Sequence, residues 1–363
     1  KRQLILCLCM IFSLFTGYQS VFASEERGEY IIYLDVQNVS PAYGEAFIKN
    51  DYAKAIDLAD KALDVYEKEL LELIPNMEVL SRLELLLPSI CVKIVKSDVQ
   101  TIKSLPYVKK VYENKVIHEA DVVRSDLRAF RDRSLMTQST MMTGSNELIG
   151  SDDAFLSKYD GRGRVLAIVD GNMDPTHAVF YLSRGVKPRL SKSDISAFID
   201  SKKLSIYDKT ANGTMYENVY RSEKVPYGWN YSRGNDNLNP ENEVAAHGQH
   251  VSGTVAGNRY NIEGKTWRGV APEAQLLMMN VMNNGSTNEY IYLKAMQDAL
   301  VMGAEAVNMS LGATKGQPVD GDDAVTKAIN NGYALDTNYV IAAGNEGGYK
   351  GCLLYTSPSP RDS

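Results

Sequence analysis

Residues 164–170 read RVLAIVD, a short and almost continuous apolar run that ends in an aspartate. Runs of this kind predict strands, and the amphipathic stretches between them predict helices. The predicted strands are 164–169, 274–281, 304–309 and 339–343, and the predicted helices are 247–256, 288–302 and 322–331. Strands that are apolar on both faces and alternate with helices are typical of a parallel sheet covered on both sides. From residue 146 onward the sequence therefore predicts an α/β fold built on a parallel sheet, with any chemistry beyond the carboxyl ends of its strands.

A smaller unit of mixed pattern precedes this region, over residues 25–120. Its predicted elements are a strand at 29–36, a helix at 44–74, strands at 77–87 and 89–95, a helix at 97–104 and a strand at 108–117. This order is the split βαβ arrangement, in which two helices pack on one face of a four-stranded antiparallel sheet. The sequence therefore predicts a small α+β, ferredoxin-like domain. An independent ligand-binding domain of the same architecture is the alternative.

Composition bounds the kind of protein. The chain has 363 residues, 44% of them hydrophobic, which is enough for a sizeable core and for two or three domains. Its formal net charge of -6 comes from interspersed charges without a sustained basic run, so nucleic acid is not expected as a partner. Cys7, Cys9 and Cys352 lie in terminal segments, which leaves Cys91 unpaired. Stability is therefore expected from core burial rather than from disulfides.

Three segments outside these two units are predicted to have other origins or roles. Residues 1–23 combine two basic residues, an apolar run and a small-residue ending, which predicts a secretory signal peptide, with an uncleaved anchor as the alternative. Residues 121–145 are polar and without period, which predicts a linker that is cut on maturation. Residues 352–363 read CLLYTSPSPRDS and resemble the in-frame translation of a sequencing-library adapter, with a natural proline-rich linker as the alternative. We therefore expect the natural sequence to continue differently beyond Gly351.

Two polar residues stand where a parallel sheet would hold chemistry. Asp170 ends the first predicted strand, and a strand end can hold a catalytic partner rigidly, although an aspartate before a glycine is also an ordinary turn. His247 opens HGQHVSGTVAG, a predicted helix whose glycines cost about 1 kcal/mol each relative to alanine and so indicate close packing. With Asp170 as its orienting partner, His247 is a candidate general base.

A metal site is the alternative chemistry for these residues, with His247 and His250 joined by Asp170 or His177. Paired helical ligands stand at i and i+4, as in H-E-x-x-H, whereas these two histidines are three residues apart. No metal and no cofactor is therefore expected for catalysis.

Two later strand ends are further candidates. Ser310, Leu311 and Gly312 follow a predicted strand, where an extended peptide could pair by backbone hydrogen bonds. Asn345 lies in AAGNEG, and its side-chain amide could donate to an oxygen that becomes negative during acyl transfer. Each of these segments, taken alone, is also an ordinary strand-to-turn connection.

Together these segments resemble the subtilase family of serine proteases, in the chain order Asp, His, Asn, over residues 146–351. HGQHVSG and AAGNEG carry the resemblance, and VLAIVDGNMDPTH and VNMSLG support it. The stretch 227–312 is similar to the cell-envelope subtilases of Gram-positive bacteria, the lactocepin and C5a-peptidase-like group.

The resemblance implies a secreted serine endopeptidase that acts on protein or peptide substrates and is associated with a Gram-positive cell wall. Asp170 would orient His247, His247 would act as general base and then as general acid, and Asn345 would donate to the oxyanion. The implied lining of the substrate cleft is Ser310, Leu311 and Gly312. The unit at 25–120 would be a propeptide that acts as folding chaperone and intramolecular inhibitor. Structural calcium is usual in relatives, although no ligands can be assigned in this sequence.

The sequence departs from the family pattern in three places. Gly171-Asn172 and Gln249 replace the usual residues, which predicts shifted loop geometry. No G-T-S-M-A-like nucleophile segment occurs in the 363 residues, so the catalytic domain is expected to be incomplete and this fragment inactive. A pseudoprotease or surface-binding module on the same fold is the alternative function.

Overall fold

The computed structural model describes residues 26–118, 146–206, 218–239, 247–262, 265–311 and 322–342. The predicted signal peptide, linker and adapter-like tail lie outside these residues, as do Gly312 and Asn345. Among the helices in the described part of the chain, none is long and apolar enough to cross a membrane.

An antiparallel sheet of four strands forms the N-terminal unit. Its strands are β1 (Arg27–Leu34), β2 (Glu78–Leu83), β3 (Ser89–Val95) and β4 (Val108–Glu113), and its helices are α1 (Tyr43–Ile48), α2 (Tyr52–Leu73) and α3 (Val99–Lys103). The strand order is β2-β3-β1-β4, with antiparallel neighbours throughout. The structure therefore confirms the small α+β unit that the sequence predicts.

Several element bounds in this unit differ from prediction, among them that of the strand predicted at 77–87, which ends at Leu83. Two further differences divide a predicted element in two. The single helix predicted at 44–74 is wrong, because Asn50 takes a left-handed conformation (φ 58°) and the Asp51 side chain accepts from the backbone N–H of Lys54, starting a second helix. Asparagine tolerates that conformation and aspartate is a good N-cap, so these two residues break the helix. The last strand, predicted at 108–117, ends at Glu113. A separate strand, β5 (Val116–His118), leaves the sheet.

The second region contains eight strands and five helices among the described residues. The strands are β6 (Val165–Asp170), β7 (Tyr227–Asn230), β8 (Tyr260–Ile262), β9 (Lys265–Trp267), β10 (Gln275–Asn280), β11 (Ser286–Asn288), β12 (Ala306–Met309) and β13 (Asn338–Ile341). The helices are α4 (Ser151–Leu156), α5 (Lys192–Ser201), α6 (His247–Ala256), α7 (Glu289–Val301) and α8 (Ala324–Tyr333).

Five of these strands form one parallel sheet in the order β13-β12-β6-β10-β7. The α/β class and the four predicted strands are confirmed. The fifth strand, β7, was not predicted, because its four residues YGWN contain no run of β-branched residues, although all four are buried. In the register of the sheet, Asp170 at the end of β6 lies opposite Asn280 at the end of β10.

Both faces of the sheet are covered. Val165, Ala167 and Val169 of β6 belong to one hydrophobic cluster, which includes α7 and the N-terminal unit. Ile168 belongs to a second cluster on the opposite face, together with Ala256 of α6. Alternate residues of a strand point to opposite faces, so β6 is held between α6 and α7. This places the amino end of α6 beside the carboxyl end of β6.

Candidate active site

Asp170 is held rigidly at the carboxyl end of β6. Its carboxyl group is 1% exposed, and its Oδ1 accepts a 2.6 Å hydrogen bond from the backbone N–H of Gly171. Its Oδ2 is buried and has no hydrogen-bond partner among the described residues. Leaving a buried carboxylate oxygen unsatisfied costs stability, so a group in this state calls for a functional explanation.

His247 is the first residue of α6, and its imidazole meets Asp170. Its Nδ1 lies 2.7 Å from Oδ1 of Asp170, and the imidazole is 27% exposed. An ionised carboxylate can only accept hydrogen bonds, so Nδ1 carries the hydrogen and donates it, and the lone pair lies on Nε2. The structure thus brings together the two residues that the sequence singled out, with the basic nitrogen directed away from the carboxylate.

Gly248 allows the helix to come this close. A Cβ at this position would lie 2.7 Å from the carbonyl oxygen of Gly171 and 2.9 Å from Cγ of Met173. The backbone N–H of Gln249 donates to the carbonyl oxygen of Asn172 at 3.0 Å, which fixes the helix end on the same loop. Close packing, which the sequence predicted for the glycines of this helix, is confirmed at Gly248. It is wrong at Gly253, where a Cβ would meet nothing within 4 Å.

The loop after Asp170 is held by two side chains whose roles were not predicted. Oε1 of Gln249 accepts from the backbone N–H of Asp174 at 2.8 Å. Nδ2 of Asn280 donates to Oδ1 of Asn172 at 3.0 Å. Asn172 and Gln249, the residues that differ from the family pattern, thus both form hydrogen bonds that hold this loop. The one available signal for Asn280 is its position, since it ends an apolar strand as Asp170 does.

The other two candidate histidines, His177 and His250, are exposed. Both line a cavity of about 430 Å³, and neither Asp170 nor His247 is among its lining residues. Of the three histidines considered for a metal site, His247 is the one for which a hydrogen bond with Asp170 is described. Within the described residues, no group of three or more His, Cys, Asp or Glu side chains could hold a metal ion.

The segment after β12 holds two of the predicted cleft residues. Nδ2 of Asn308 donates to Oγ of Ser310 at 2.9 Å, and Leu311 is 5% exposed and belongs to the hydrophobic core. β12 itself lies inside the sheet between β13 and β6. Any peptide-binding edge here must therefore be formed by the backbone beyond Met309.

A further strand that can pair with an extended segment was not predicted from the sequence. β11 pairs antiparallel with β5, with Thr287 opposite Ile117. It begins six residues after Asn280, so it lies within roughly 20 Å of the carboxyl edge of the sheet. Its three residues, STN, carry no apolar pattern that could have indicated a strand.

An aspartate that is hydrogen-bonded to Nδ1 of a histidine is the pairing that Ser-His-Asp hydrolases share across unrelated folds. The sequence profile of the subtilase family matches residues 161–361, more than half of the chain, and the chain belongs to this family.

Named relatives agree with this membership. The chain is 35% identical over 195 residues to the PII-type proteinase of Lactococcus lactis subsp. cremoris, a match that covers 52% of this chain and 10% of that protein. It is 30% identical over 197 residues to the C5a peptidase of Streptococcus pyogenes, covering 53% of this chain and 16% of that one. The predicted resemblance to the C5a-peptidase-like group is confirmed. The chain spans only about a tenth to a sixth of the length of these relatives.

A solved structure matches the fold. It is a serine-to-alanine mutant of the epidermin leader peptide processing serine protease from Staphylococcus aureus, with a TM-score of 0.51 and 15% sequence identity. The match covers 89% of this chain and 62% of that chain.

Proposed function

We propose that the complete protein is a secreted serine endopeptidase that hydrolyses peptide bonds through a Ser-His-Asp triad. The observation that carries the proposal is the 2.7 Å contact between the Asp170 carboxylate and Nδ1 of His247. Membership of the subtilase family supports it. The 363 residues contain no G-T-S-M-A-like segment, so the proposal assigns the nucleophile to no residue of this sequence.

In the proposed reaction, a serine hydroxyl loses its proton to Nε2 of His247 while its oxygen bonds to the carbonyl carbon of the scissile peptide. The Asp170 carboxylate stabilises the imidazolium that forms. The proton then passes from Nε2 to the leaving amine as the C–N bond breaks, and water hydrolyses the acyl-enzyme by the same proton route. Asn345 donates to the oxyanion, and Ser310, Leu311 and Gly312 line the cleft. These last assignments rest on the sequence motifs.

The N-terminal unit acts as an intramolecular inhibitor in this proposal. β5 occupies β11 as an added strand, which is the way an extended substrate would bind. The pairing continues past the strand, because the backbone N–H of Glu289 donates to the carbonyl oxygen of Lys115 at 3.1 Å. A substrate would need to displace this segment.

Side-chain contacts between the two regions support the same role. Oε1 of Gln297 in α7 accepts from the backbone N–H groups of Glu84, at 3.1 Å, and Leu85, at 2.8 Å. Nδ2 of Asn331 in α8 donates to the carbonyl oxygen of Leu86 at 2.7 Å. Two adjacent helices thus bind one loop of the N-terminal unit.

Substrate class and location follow from the relatives. Both are named as a proteinase or a peptidase, which supports protein or peptide substrates for this chain. We propose a secreted protein associated with a Gram-positive cell wall. Structural calcium stays an expectation from the family resemblance.

The proposed function is tested by labelling the uninterrupted protein with a fluorophosphonate, which reacts covalently with an activated serine. We expect one labelled serine and hydrolysis of an unfolded protein substrate. His247→Ala should lower turnover on the order of 10⁶-fold, the size measured for the triad histidine of a subtilisin.

His177→Ala is the matched control, because His177 is exposed and lies outside the pair, and it should label like the unmodified protein. A folded, uninterrupted protein that neither labels nor hydrolyses peptides would favour the pseudoprotease alternative.

A further inference from the structure

β5, the strand that pairs with β11, indicates which side chains a peptide bound in the same way would direct towards the protein. Ile117 lies opposite Thr287 and packs against the core, while Val116 is 57% exposed. Lys115, two residues before Ile117, has an exposed side chain, and its carbonyl accepts from the backbone N–H of Glu289. The backbone hydrogen bonds of such a ladder hold any sequence, so selectivity must come from side chains beside the strand.

Glu289 places an acidic side chain directly after β11, at the first position of α7. It is 5% exposed. Burial raises the pKa of its carboxyl to about 7, the positive charge of Lys115 opposes this, and the negative charges of Asp323 and Glu113 add to it. The ionised carboxylate therefore lies in a negative surrounding, and the nearby cation that offsets it comes from the seated segment. An acidic residue in place of that cation would add to the repulsion.

We propose that Glu289 is a specificity-determining residue that selects lysine or arginine at the substrate position now held by Lys115. This inference rests on the proposed peptidase function, and within it on substrates adding to β11 as β5 does. A basic side chain at that position offsets the negative charge of Glu289, whereas an acidic one adds to the negative charges of Glu289 and Asp323. Like-charge juxtaposition across an interface suppresses wrong partners, and specificity often depends on such repulsion.

The inference is tested with a synthetic peptide of residues 112–120, YENKVIHEA, as a competitor for peptide hydrolysis by the uninterrupted, matured protein. The assay is run at pH 8.5 and low salt, where the carboxyl is ionised. Changing Lys115→Glu in the peptide should raise the inhibition constant about five- to tenfold, as expected for replacing an attractive charge near Glu289 by a repulsive one. The difference should shrink in 1 M salt, at a Debye length of about 3 Å.

Control peptides and protein variants test whether the position of the lysine in the peptide, and not the composition of the peptide, determines binding. A peptide in which Lys115 and Val116 are exchanged keeps its composition and net charge but turns the lysine to the other face, and it should bind as weakly as a peptide with Lys115→Gln. In the protein, Glu289→Gln should remove the preference. Glu305→Gln should keep it, because the Glu305 carboxylate pairs with Arg164 and Arg189. Equal inhibition constants for the unmodified peptide and the Lys115→Glu peptide would overturn the inference.

A second measurement needs no catalysis. In the chain itself, Lys115→Glu and Glu289→Lys should each speed hydrogen exchange at the backbone N–H of residue 289. The variant that carries both substitutions should regain protection from hydrogen exchange. Independent, additive effects would contradict the inference. If the protein fails to label or cleave anything but this coupling is present, the proposed function fails and the charge pairing stands. If it cleaves peptides without charge preference, the function stands and the inference fails.

Discussion

Gly248 sets the distance between the candidate acid and base. The amino end of α6 rests on the backbone of the loop after β6, and the side of the helix that faces Gly171 has room for a hydrogen and not for a methyl group. Backbone atoms cannot turn away as a flexible side chain can. A side chain at this position must therefore displace the helix, and His247 with it.

Gly248→Ala should lower the free energy of unfolding by about 1–3 kcal/mol, the usual cost of overpacking a tight contact, and should lengthen the Asp170–His247 contact. Gly253→Ala is the control in the same helix. With open space around it, this change should be neutral or stabilising by up to about 1 kcal/mol through helix propensity. Chemical denaturation of both variants measures the difference, and equal effects would contradict the packing argument.

Asp170 and His247 could be predicted from the sequence because each stands at a distinctive position in a local pattern. Asp170 ends an apolar strand, and His247 opens a glycine-rich helix. It could not find the partners of Asn172 and Gln249, because each contact joins residues that are distant in the chain or placed by a loop. Such pairings follow from the folded path of the backbone and not from local pattern.

Helix α7 is the element that connects the two regions. Leu293 and Met296 belong to the hydrophobic cluster that also contains sheet residues, while the side chain of Gln297, itself fully buried, binds the loop of the N-terminal unit. One amide oxygen satisfies two backbone N–H groups there. Removing this oxygen leaves both N–H groups without their acceptor, and each buried, unsatisfied donor lowers the stability of the docked state by about 1–3 kcal/mol.

Gln297→Ala should therefore weaken docking of the N-terminal unit without unfolding it. We expect faster hydrogen exchange at the backbone N–H groups of Glu84 and Leu85 and, in the uninterrupted protein, earlier appearance of activity during maturation. Gln100→Ala, at an exposed glutamine of α3, is the control and should change neither. Unchanged exchange at Glu84 and Leu85 in Gln297→Ala would show that the docking contact lies elsewhere.

Elements with a clear apolar pattern were predictable, and elements without one were not. Helix α6 was predicted with its observed bounds, His247–Ala256. Helix α5 was missed, although Ser191 and Asp194 form a capping box that marks its start and could have been read from the sequence. β5 and β11 have three residues each and stabilise one another across the two regions, so neither carries a signal alone.

At the scale of the whole molecule, a single hydrophobic cluster runs from the N-terminal unit through α7 into the sheet. Ile32 and Leu85 of the N-terminal unit and Val307 of β12 are fully buried members of it. Apolar periodicity indicated both units, since each buries its own residues. It could not indicate how they join, because a residue buried at a shared boundary reads in the sequence like any other core residue.

The proposed role of His247 requires that Asp170 hold the hydrogen on Nδ1, and proton NMR of the imidazole in this chain detects that hydrogen. We expect a strongly downfield Nδ1–H resonance, assigned to His247, that is lost in Asp170→Ala while His177 and His250 keep their signals. A folded chain in which the His247 resonance is the same with and without the Asp170 carboxylate would contradict it.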